Sequence, residues 1–291
     1  MSDFTTYLRL ERSLSVNTIK SYSSDILQFF EFLNQSEIIN LSEVNLNNLS
    51  LFIANQQKRE ISKRSLARLI SSIKALFKYL EIENEIESNP SKLIDAPKIN
   101  KYLPVVLSVE EIDILFASID LSPPEGERNR AIFEVLYSCG LRVSELVNLK
   151  LTDLFIEDGF IRVVGKGDKQ RLVPIGEMAV DTLKNYLKGR KLHPVQPKSE
   201  NIVFLNRRGG KISREMIFII VKKQAEIAGI TKEISPHTFR HSFATHLVEN
   251  GADLRVVQEM LGHKSVLTTE IYTHVDSTKW QQGVLKYHPR R

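Results

Sequence analysis

The stretch SKRSLARLISSIKALFKYL, residues 62–80, predicts an amphipathic helix in the first third of the chain. Its apolar side chains, from Leu66 to Leu80, recur three and four positions apart, as one buried face of a helix requires. Lysine and arginine residues take other positions, so the helix is expected to have a basic side. This periodicity favours a helical fold for the surrounding sequence.

Neighbouring segments show the same period. SVNTIKSYSSDILQFFEFL, residues 15–33, predicts a second helix, with Ser15 or Asn17 placed to cap its first turn. Shorter helices are expected at residues 4–12 and 46–57. Together these helices predict a small bundle over residues 1–94.

The segment that follows has no helical period. DAPKINKYLPVVLS, residues 95–108, contains two prolines and the lysines Lys98 and Lys101, and we interpret residues 95–107 as an extended linker. Ser108 and Glu111 then form a capping-box pattern that opens a helix. GFIRVVGKGDKQRLVPIG, residues 159–176, predicts a β-hairpin with Lys166 at or beside its tip. The expected fold class is therefore mainly α: a helical bundle, then a mixed, mostly helical domain over residues 108–291 with a small β-hairpin or sheet.

Composition limits the function classes. One cysteine, Cys139, excludes an intrachain disulfide and suits a reducing compartment, so a cytoplasmic protein is expected. The first residues lack a signal-peptide pattern, and the longest apolar run, residues 217–221, is too short to span a membrane. The net charge is +5, and the excess lies beyond residue 100. Such a charge suits a polyanionic partner, but it also suits an ordinary basic surface.

The stretch SPHTFRHSFATHL, residues 235–247, brings two histidines and an arginine together. Ser235 and Pro236 are typical of a helix start, which would place His237, Arg240 and His241 on adjoining positions. A zinc site has this histidine spacing, but the glutamate of an HExxH pattern is missing and no cysteine is nearby, so no metal is expected. A buried polar cluster and a phosphate site both stay open.

Three other segments could contribute to a phosphate site. ADLRVVQEMLGHKS predicts a helix that Gly262 ends, which leaves His263 on the following turn. Tyr272 lies nine residues later. In LYSCGLRVSEL, Arg142 follows Gly140 where one helix is expected to end and another to begin. Taken alone, Arg142 would be a solvated arginine or an ion-pair partner of Glu145.

Taken in order, these residues resemble the pattern of the tyrosine recombinases. The motifs that match are GLRVSEL, GKGDKQR on the hairpin, HTFRH, LGH and IYTHV. The resemblance covers the whole chain, and its ending YHPRR is similar to that of the Xer recombinases, nearer to the XerD branch than to the XerC branch. It implies a core-binding, SAM-like helical domain followed by a catalytic domain. The six residues of the implied catalytic set are Arg142, Lys166, His237, Arg240, His263 and Tyr272.

The residue types fit phosphodiester chemistry. Arginine forks hold phosphate oxygens in paired hydrogen bonds, and His263 could donate another. Tyr272 is the implied nucleophile, His237 the candidate acceptor of its proton and Lys166 the candidate general acid. The resemblance further implies a 3′-phosphotyrosyl intermediate that needs neither a metal, ATP nor another cofactor. Glu145 and His241 are expected to support the set by orientation or packing.

The partners implied by the resemblance are DNA and other recombinase protomers. The resemblance implies a clamp around double-stranded DNA. It also implies homo- or hetero-tetramers on two DNA sites, with a Holliday junction as the intermediate. A second Xer recombinase is a candidate partner, and a septal DNA translocase is a candidate activator. The tail residues Trp280, Val284, Leu285 and Tyr287 could dock on the same domain or on a neighbouring protomer. The candidate phosphate contacts are Lys63, Arg64, Lys74, Arg171, Arg207, Arg208, Lys211 and Arg214, of which Arg214 would begin a helix.

Several functions remain compatible with these motifs. The first is an Xer-type recombinase that resolves chromosome dimers at segregation. A mobile-element integrase would use the same chemistry for another task. A DNA-binding protein that no longer cleaves, or a metal-dependent hydrolase, belongs to a different class.

Overall fold

A computed structural model of the chain describes residues 1–98, 104–165, 168–262 and 286–290. The chain forms two compact units, Met1–Tyr102 and Leu103–Arg291, which we call the first and the second unit. Within the described part of the chain, every helix is too short or too polar to cross a membrane.

Over residues 1–98, the first unit forms four α-helices and two 3-10 turns. The helices are α1 (Ser2–Leu10), α2 (Val16–Gln35), α3 (Leu46–Lys58) and α4 (Lys63–Ile82), and the turns are Leu41–Glu43 and Pro90–Leu93. Polar side chains begin three of the helices, because the Ser15, Asn45 and Ser62 oxygens accept the N–H groups that a first helical turn leaves free. Ser15, not Asn17, is therefore the cap of α2.

The core of the first unit is aromatic and aliphatic. Phe29, Phe52 and Phe77 are fully buried, and the Phe29 ring centroid lies 5.1 Å from that of Phe52 and 6.1 Å from that of Phe77. One carboxylate is buried beside this core: Asp25 on α2 accepts a hydrogen bond of 2.6 Å from Arg68 on α4. The basic side predicted for α4 thus includes one arginine that ties two helices together.

The described residues of the second unit form seven α-helices and one small sheet. The helices are α5 (Val109–Ala117), α6 (Pro124–Ser138), α7 (Val143–Val147), α8 (Glu177–Arg190), α9 (Arg214–Ile227), α10 (Pro236–Glu249) and α11 (Leu254–Met260). The antiparallel sheet has the order β1 (Leu154–Phe155), β2 (Phe160–Val164) and β3 (Gln170–Pro174), and 3-10 turns lie at Leu151–Asp153 and Pro197–Ser199. The mainly helical fold with a small sheet is confirmed.

The structure adds a detail to the predicted hairpin or sheet, and it corrects the expectation for one linker residue. The hairpin has a third strand, β1, which pairs with β2 at Leu154↔Ile161 and Phe155↔Phe160. Leu107, which we placed in the linker, is fully buried in the core of the second unit, and its N–H donates to the Ser242 hydroxyl at 2.9 Å. The local sequence does not reveal this burial, because the partner of Leu107 on α10 lies 135 residues away.

Packing around α10 determines where the turn that contains Gly140, Leu141 and Arg142 can lie. Phe239 and Phe243 of α10 are buried, and Phe239 packs on Phe133 with a centroid distance of 5.3 Å. Gly140 lies directly over Phe243, where an added Cβ would be only 2.5 Å from Cδ1 of that ring. Gly140 also has a φ of +57°, so glycine is favoured there both by conformation and by space.

The end of the chain packs on the second unit. Arg290 is buried, its Nη2 donates to Oε1 of Glu134 at 2.8 Å and its Nη1 pairs with Asp113. Asn250 donates to the Tyr287 carbonyl oxygen at 2.8 Å. Trp280, Val284 and Leu285 lie outside the described residues.

Candidate active site

Helix α10 presents the candidate phosphate ligands. Pro236 takes its first position, and the Ser235 N–H donates to the Thr238 hydroxyl at 3.0 Å, so the predicted start is confirmed. His237 and His241 are exposed, whereas Arg240 retains only 7% of its accessible surface. The helix therefore holds one arginine inside the protein and two imidazoles at its surface.

Arg240 joins two turns that are far apart in the sequence. Its Nη1 donates to the Gly140 carbonyl oxygen at 2.7 Å, and its Nη2 donates to the Leu261 carbonyl oxygen. The first turn leads into Arg142 and the second into His263. Burial, and then the positive charge of Arg142, lower the pKa of Arg240 to about 10, so the guanidinium remains charged at neutral pH.

Arg142 lies between two helices, as the sequence predicts. Helix α6 ends at Ser138, and Arg142 is the residue that caps the start of α7. Its backbone N–H donates to Oε2 of Glu145 at 2.8 Å, and its Nη1 donates to Oε1 at 2.9 Å. The Arg142 side chain is 34% exposed. Its guanidinium thus combines a fixed ion-pair partner with access to solvent.

Glu145 is the buried carboxylate at the centre of this network. It also accepts two hydrogen bonds from Arg171 on β3, Nη1 to Oε1 at 2.9 Å and Nη2 to Oε2 at 3.0 Å. Burial raises the pKa of Glu145, but the hydrogen bonds and charge of Arg171, together with those of Arg142, lower it overall below its usual 4.5. Glu145 is therefore ionised at neutral pH and compensates part of the positive charge.

The surroundings of His237 favour its neutral form. Partial loss of hydration lowers the pKa of His237 below its ordinary 6.5. The positive charges of the neighbouring His241, Arg240 and Arg142 lower it further. A neutral imidazole can accept a proton, which is the role expected of this residue.

Half of the predicted set cannot be placed. Lys166, His263 and Tyr272 lie outside the described residues, so their roles stay predictions. The described residues that flank them belong to the network: Gly165 follows β2, and Gly262, with a φ of +65°, follows α11. The predicted end of α11 before Gly262 is confirmed. No cluster of three or more His, Cys, Asp or Glu side chains in the described ranges could hold a metal ion.

The candidate phosphate contacts fall into three groups. Lys63, Arg64, Arg208 and Arg214 are exposed, and Lys74 is partly buried. Arg207 pairs with Glu125, and Lys211 donates to Oδ1 of Asn148 at 2.6 Å. Arg171, by contrast, has a side chain only 14% exposed and is held by partners inside the second unit. Contact with DNA stays a prediction for the exposed residues, and the structure gives Arg171 an internal position instead.

The internal partners of Arg171 were not expected from the sequence. Its own strand carried a usable signal, since Arg171 shares a strand face with Val173 two positions on, and it pairs with Val163 across the sheet. Both valines are buried. A charged residue on a buried strand face requires a buried counter-charge, and here that counter-charge is Glu145.

Comparison with known proteins agrees with this geometry. Residues 106–279 match the phage integrase family, and residues 1–84 match the phage integrase N-terminal SAM-like domain. The tyrosine recombinase XerD of Listeria innocua is 42% identical over 292 residues, covering 100% of this chain and 98% of that protein. The tyrosine recombinase XerD of Chlorobaculum tepidum is 43% identical over 293 residues, covering 100% of this chain and 96% of that protein.

A solved structure extends the comparison to the fold. The XerH site-specific recombinase bound to its difH substrate aligns with 97% of this chain and 83% of its own, with 28% identity and a TM-score of 0.70. The chain therefore belongs to the phage integrase family, as an Xer-type tyrosine site-specific recombinase, a DNA strand-exchange enzyme.

Proposed function

We propose that this recombinase cuts and rejoins double-stranded DNA through a covalent bond between Tyr272 and a 3′ phosphate. The observation that carries the proposal is the junction made by Arg240, whose guanidinium joins the turn before Arg142 to the turn before His263. Arg240 thereby holds the GLRVSEL, HTFRH and LGH motifs together around one positively charged site. A phosphate is the group that two adjacent guanidinium groups bind best.

Both guanidinium groups have donors left for that phosphate. Each of the two Nη atoms of an arginine carries two hydrogens and Nε carries one, which gives five N–H donors. The two carbonyl contacts of Arg240 use one hydrogen on each of its Nη atoms, and Glu145 takes one from Arg142. The remaining donors can hold nonbridging oxygens and stabilise the negative charge of the pentavalent transition state.

The chemical step balances without an external cofactor. The Tyr272 oxygen attacks phosphorus and passes its proton to His237, whose lowered pKa keeps the imidazole neutral and able to accept it. The bond from phosphorus to the 5′ oxygen breaks, and Lys166 protonates that oxygen. Attack by the 5′ hydroxyl of another strand reverses these steps, releases Tyr272 and joins the DNA in a new arrangement.

The assembly and its cellular task follow from the family. XerH was solved on its difH substrate, and we extend double-stranded DNA as the substrate to this chain. The basic residues of α4 and of the start of α9 are then candidate backbone contacts. We further propose tetramers on two sites, alone or with a second Xer recombinase, a Holliday junction, and resolution of chromosome dimers at segregation in the cytoplasm, with a septal DNA translocase as the activator.

A trapping assay tests the proposal. Binding sites are first selected from random duplexes with the full-length protein, and a nick is then placed near the centre of the selected site so that the cleaved strand loses its 5′ end. With EDTA present, the protein is expected to become linked to the 3′ end, as seen on a denaturing gel. The Tyr272→Phe variant should bind the duplex with unchanged affinity and form no linked product. A linked product with that variant, or none with the wild type, would overturn the proposal.

A further inference from the structure

We propose that Arg171 is a positioning residue. It fixes the hairpin that carries Lys166 against two other segments, the turn that leads into Arg142 and the end of α11. This inference rests on the proposed function of Lys166 as the acid for the departing 5′ oxygen. Arg171 lies on β3, on the far side of the hairpin turn from β2 and five residues after Lys166. It replaces the role of DNA phosphate contact that the sequence suggested.

The contacts of Arg171 reach both other parts of the site. Two of its nitrogens hold the Glu145 carboxylate, at 2.9 and 3.0 Å, and that carboxylate in turn holds Arg142. Its Nε donates to the Met260 carbonyl oxygen at 2.7 Å, three residues before His263. One side chain therefore links the hairpin to the Arg142 turn and to the end of α11.

Two glycines lie beside the Arg171 guanidinium. A Cβ added at Gly165, at the base of the hairpin, would lie 3.5 Å from Nη1 of Arg171. A Cβ added at Gly262, after α11, would lie 3.4 Å from the same nitrogen. The Arg171 guanidinium therefore lies close to Gly165, which precedes Lys166 in the sequence, and to Gly262, which precedes His263.

The arrangement requires arginine. Only a planar fork can hold both oxygens of Glu145 and still donate through Nε to a carbonyl oxygen in a third direction. A lysine would keep the charge but replace this set of contacts by a single ammonium. Without the fork, the hairpin would be attached to the site by fewer contacts, and displacement of a reacting group by about 1 Å can cost about 100-fold in rate.

The test compares Arg171→Gln and Arg171→Lys with Arg162→Gln in the full-length protein. Arg162 lies on the same hairpin, but it pairs with Asp153 at 2.7 Å and is 38% exposed, so it serves as the matched control. Each protein is pre-bound to the nicked duplex, and the rate constant of covalent linkage is measured. Circular dichroism spectra are compared with that of the wild type to check that each variant is folded. We expect both Arg171 variants to be slowed about 100-fold and Arg162→Gln to be unchanged.

A second substrate identifies the step that Arg171 serves. In this duplex the 5′ bridging oxygen at the cleavage site is replaced by sulfur, which departs as a thiolate. A thiol has a pKa of about 8.5, so its departure does not need a general acid. If Arg171 positions the Lys166 hairpin, the defect of both variants should shrink to within about threefold of wild type. An equal defect on both substrates, or recovery of Arg171→Lys to the wild-type rate on oxygen, would overturn the proposal.

DNA binding separates this role from a phosphate contact. A positioning residue leaves the affinity and its salt dependence unchanged, whereas loss of one phosphate contact weakens binding and reduces the salt slope by about one. A reduced slope for Arg171→Gln would therefore overturn the proposal. Failure of the wild-type protein to form any covalent product would count against the proposed function itself, and the two failures are thus distinguishable.

Discussion

Asp25 in the first unit and Glu145 in the second are both buried beside arginine, and the two carboxylates differ in their surroundings. Asp25 in the first unit is 1% exposed and is paired with Arg68, whose side chain is 41% exposed. Glu145 in the second unit is 4% exposed and receives four hydrogen bonds, two from Arg171 and two from Arg142. The burial is alike, and the number of donors is not.

The pKa values respond in opposite directions. Burial raises the pKa of Asp25, and the charge and hydrogen bond of Arg68 offset this only in part. Burial also favours a higher pKa for Glu145, but its donors lower it below the usual value. The comparison teaches that charge-assisted hydrogen bonds can outweigh burial in setting the direction of the pKa shift of an internal carboxylate. Asp25 joins two helices, whereas Glu145 is the shared counter-ion of Arg142 and Arg171 in the candidate site.

The largest expected effect on the cleavage rate comes from removing Arg142, and removing the matching arginine of the first unit is expected to have little effect. Arg142→Ala should lower the rate constant of covalent linkage by about 1,000-fold or more, since a donor to the transition state is lost. Arg68→Ala removes the matching arginine of the first unit and should leave the rate of the pre-bound complex within about twofold. The measurement is single-turnover cleavage of the nicked duplex. Equal rates for the two variants would show that the Glu145 network is structural only.

Neutralising the two carboxylates should separate them by stability. Glu145→Gln leaves two arginines without their shared counter-charge, which costs about 3–5 kcal/mol where a buried pair is broken. Asp25→Asn should lower the free energy of unfolding by about 1 kcal/mol. The loss is small because water can hydrate Arg68 and because burial already disfavours the charged form of Asp25. Hydrogen exchange resolved by peptide reports each unit separately. A larger loss for Asp25→Asn would contradict the comparison.

Acid should destabilise the second unit more than the first. His288 is buried, and burial lowers its pKa to about 4 from 6.5. Between these values the unfolded chain binds a proton there and the folded chain does not, so the free energy of unfolding falls as the pH falls, by up to about 3 kcal/mol. The contribution of Glu145 is lost below pH 4.5, whereas Asp25, with its raised pKa, gains stability in acid.

The single cysteine provides the readout for this pH dependence. Cys139 is fully buried in the second unit, so its reaction with an aromatic disulfide reagent reports opening of that unit. Labelling should accelerate as the pH falls from 6.5 towards 4, after correction for the reactivity of a free thiol. His288→Phe should flatten this dependence. A pH-independent opening in the wild type would show that His288 titrates normally.

The smallest effect is expected at exposed arginines outside both pairs. Arg214, the first residue of α9, is exposed, and Arg214→Ala should weaken DNA binding by about 1 kcal/mol and reduce the salt slope by about one. The cleavage rate of the bound complex should not change. Fluorescence anisotropy over a range of salt concentrations measures both quantities, and an unchanged slope would remove Arg214 from the DNA surface.

Local signals account for what the sequence predicted well. Ser15, Ser108 and Ser235 begin helices where the predicted caps indicated, and Gly140 and Gly262 form the expected turns. The features that were missed depend on distant contacts. Arg171 reaches Glu145 across 26 residues and Met260 across 89, and no local pattern encodes such a pairing. The motif around Arg142 predicted that this residue lies on a turn. It did not predict that Glu145 connects Arg142 to Arg171 on β3 by accepting two hydrogen bonds from each.

The most direct test of the central claim is a crystal structure of the Tyr272→Phe protein bound to an intact duplex that contains its recombination site. If Arg142 and Arg240 hold the phosphate that is cleaved, a nitrogen of each guanidinium should lie about 3 Å from a nonbridging oxygen of that phosphate. Glu145 should keep its bonds to Arg142 and Arg171. A scissile phosphate more than about 5 Å from either guanidinium would contradict the claim that these two arginines form the reactive site.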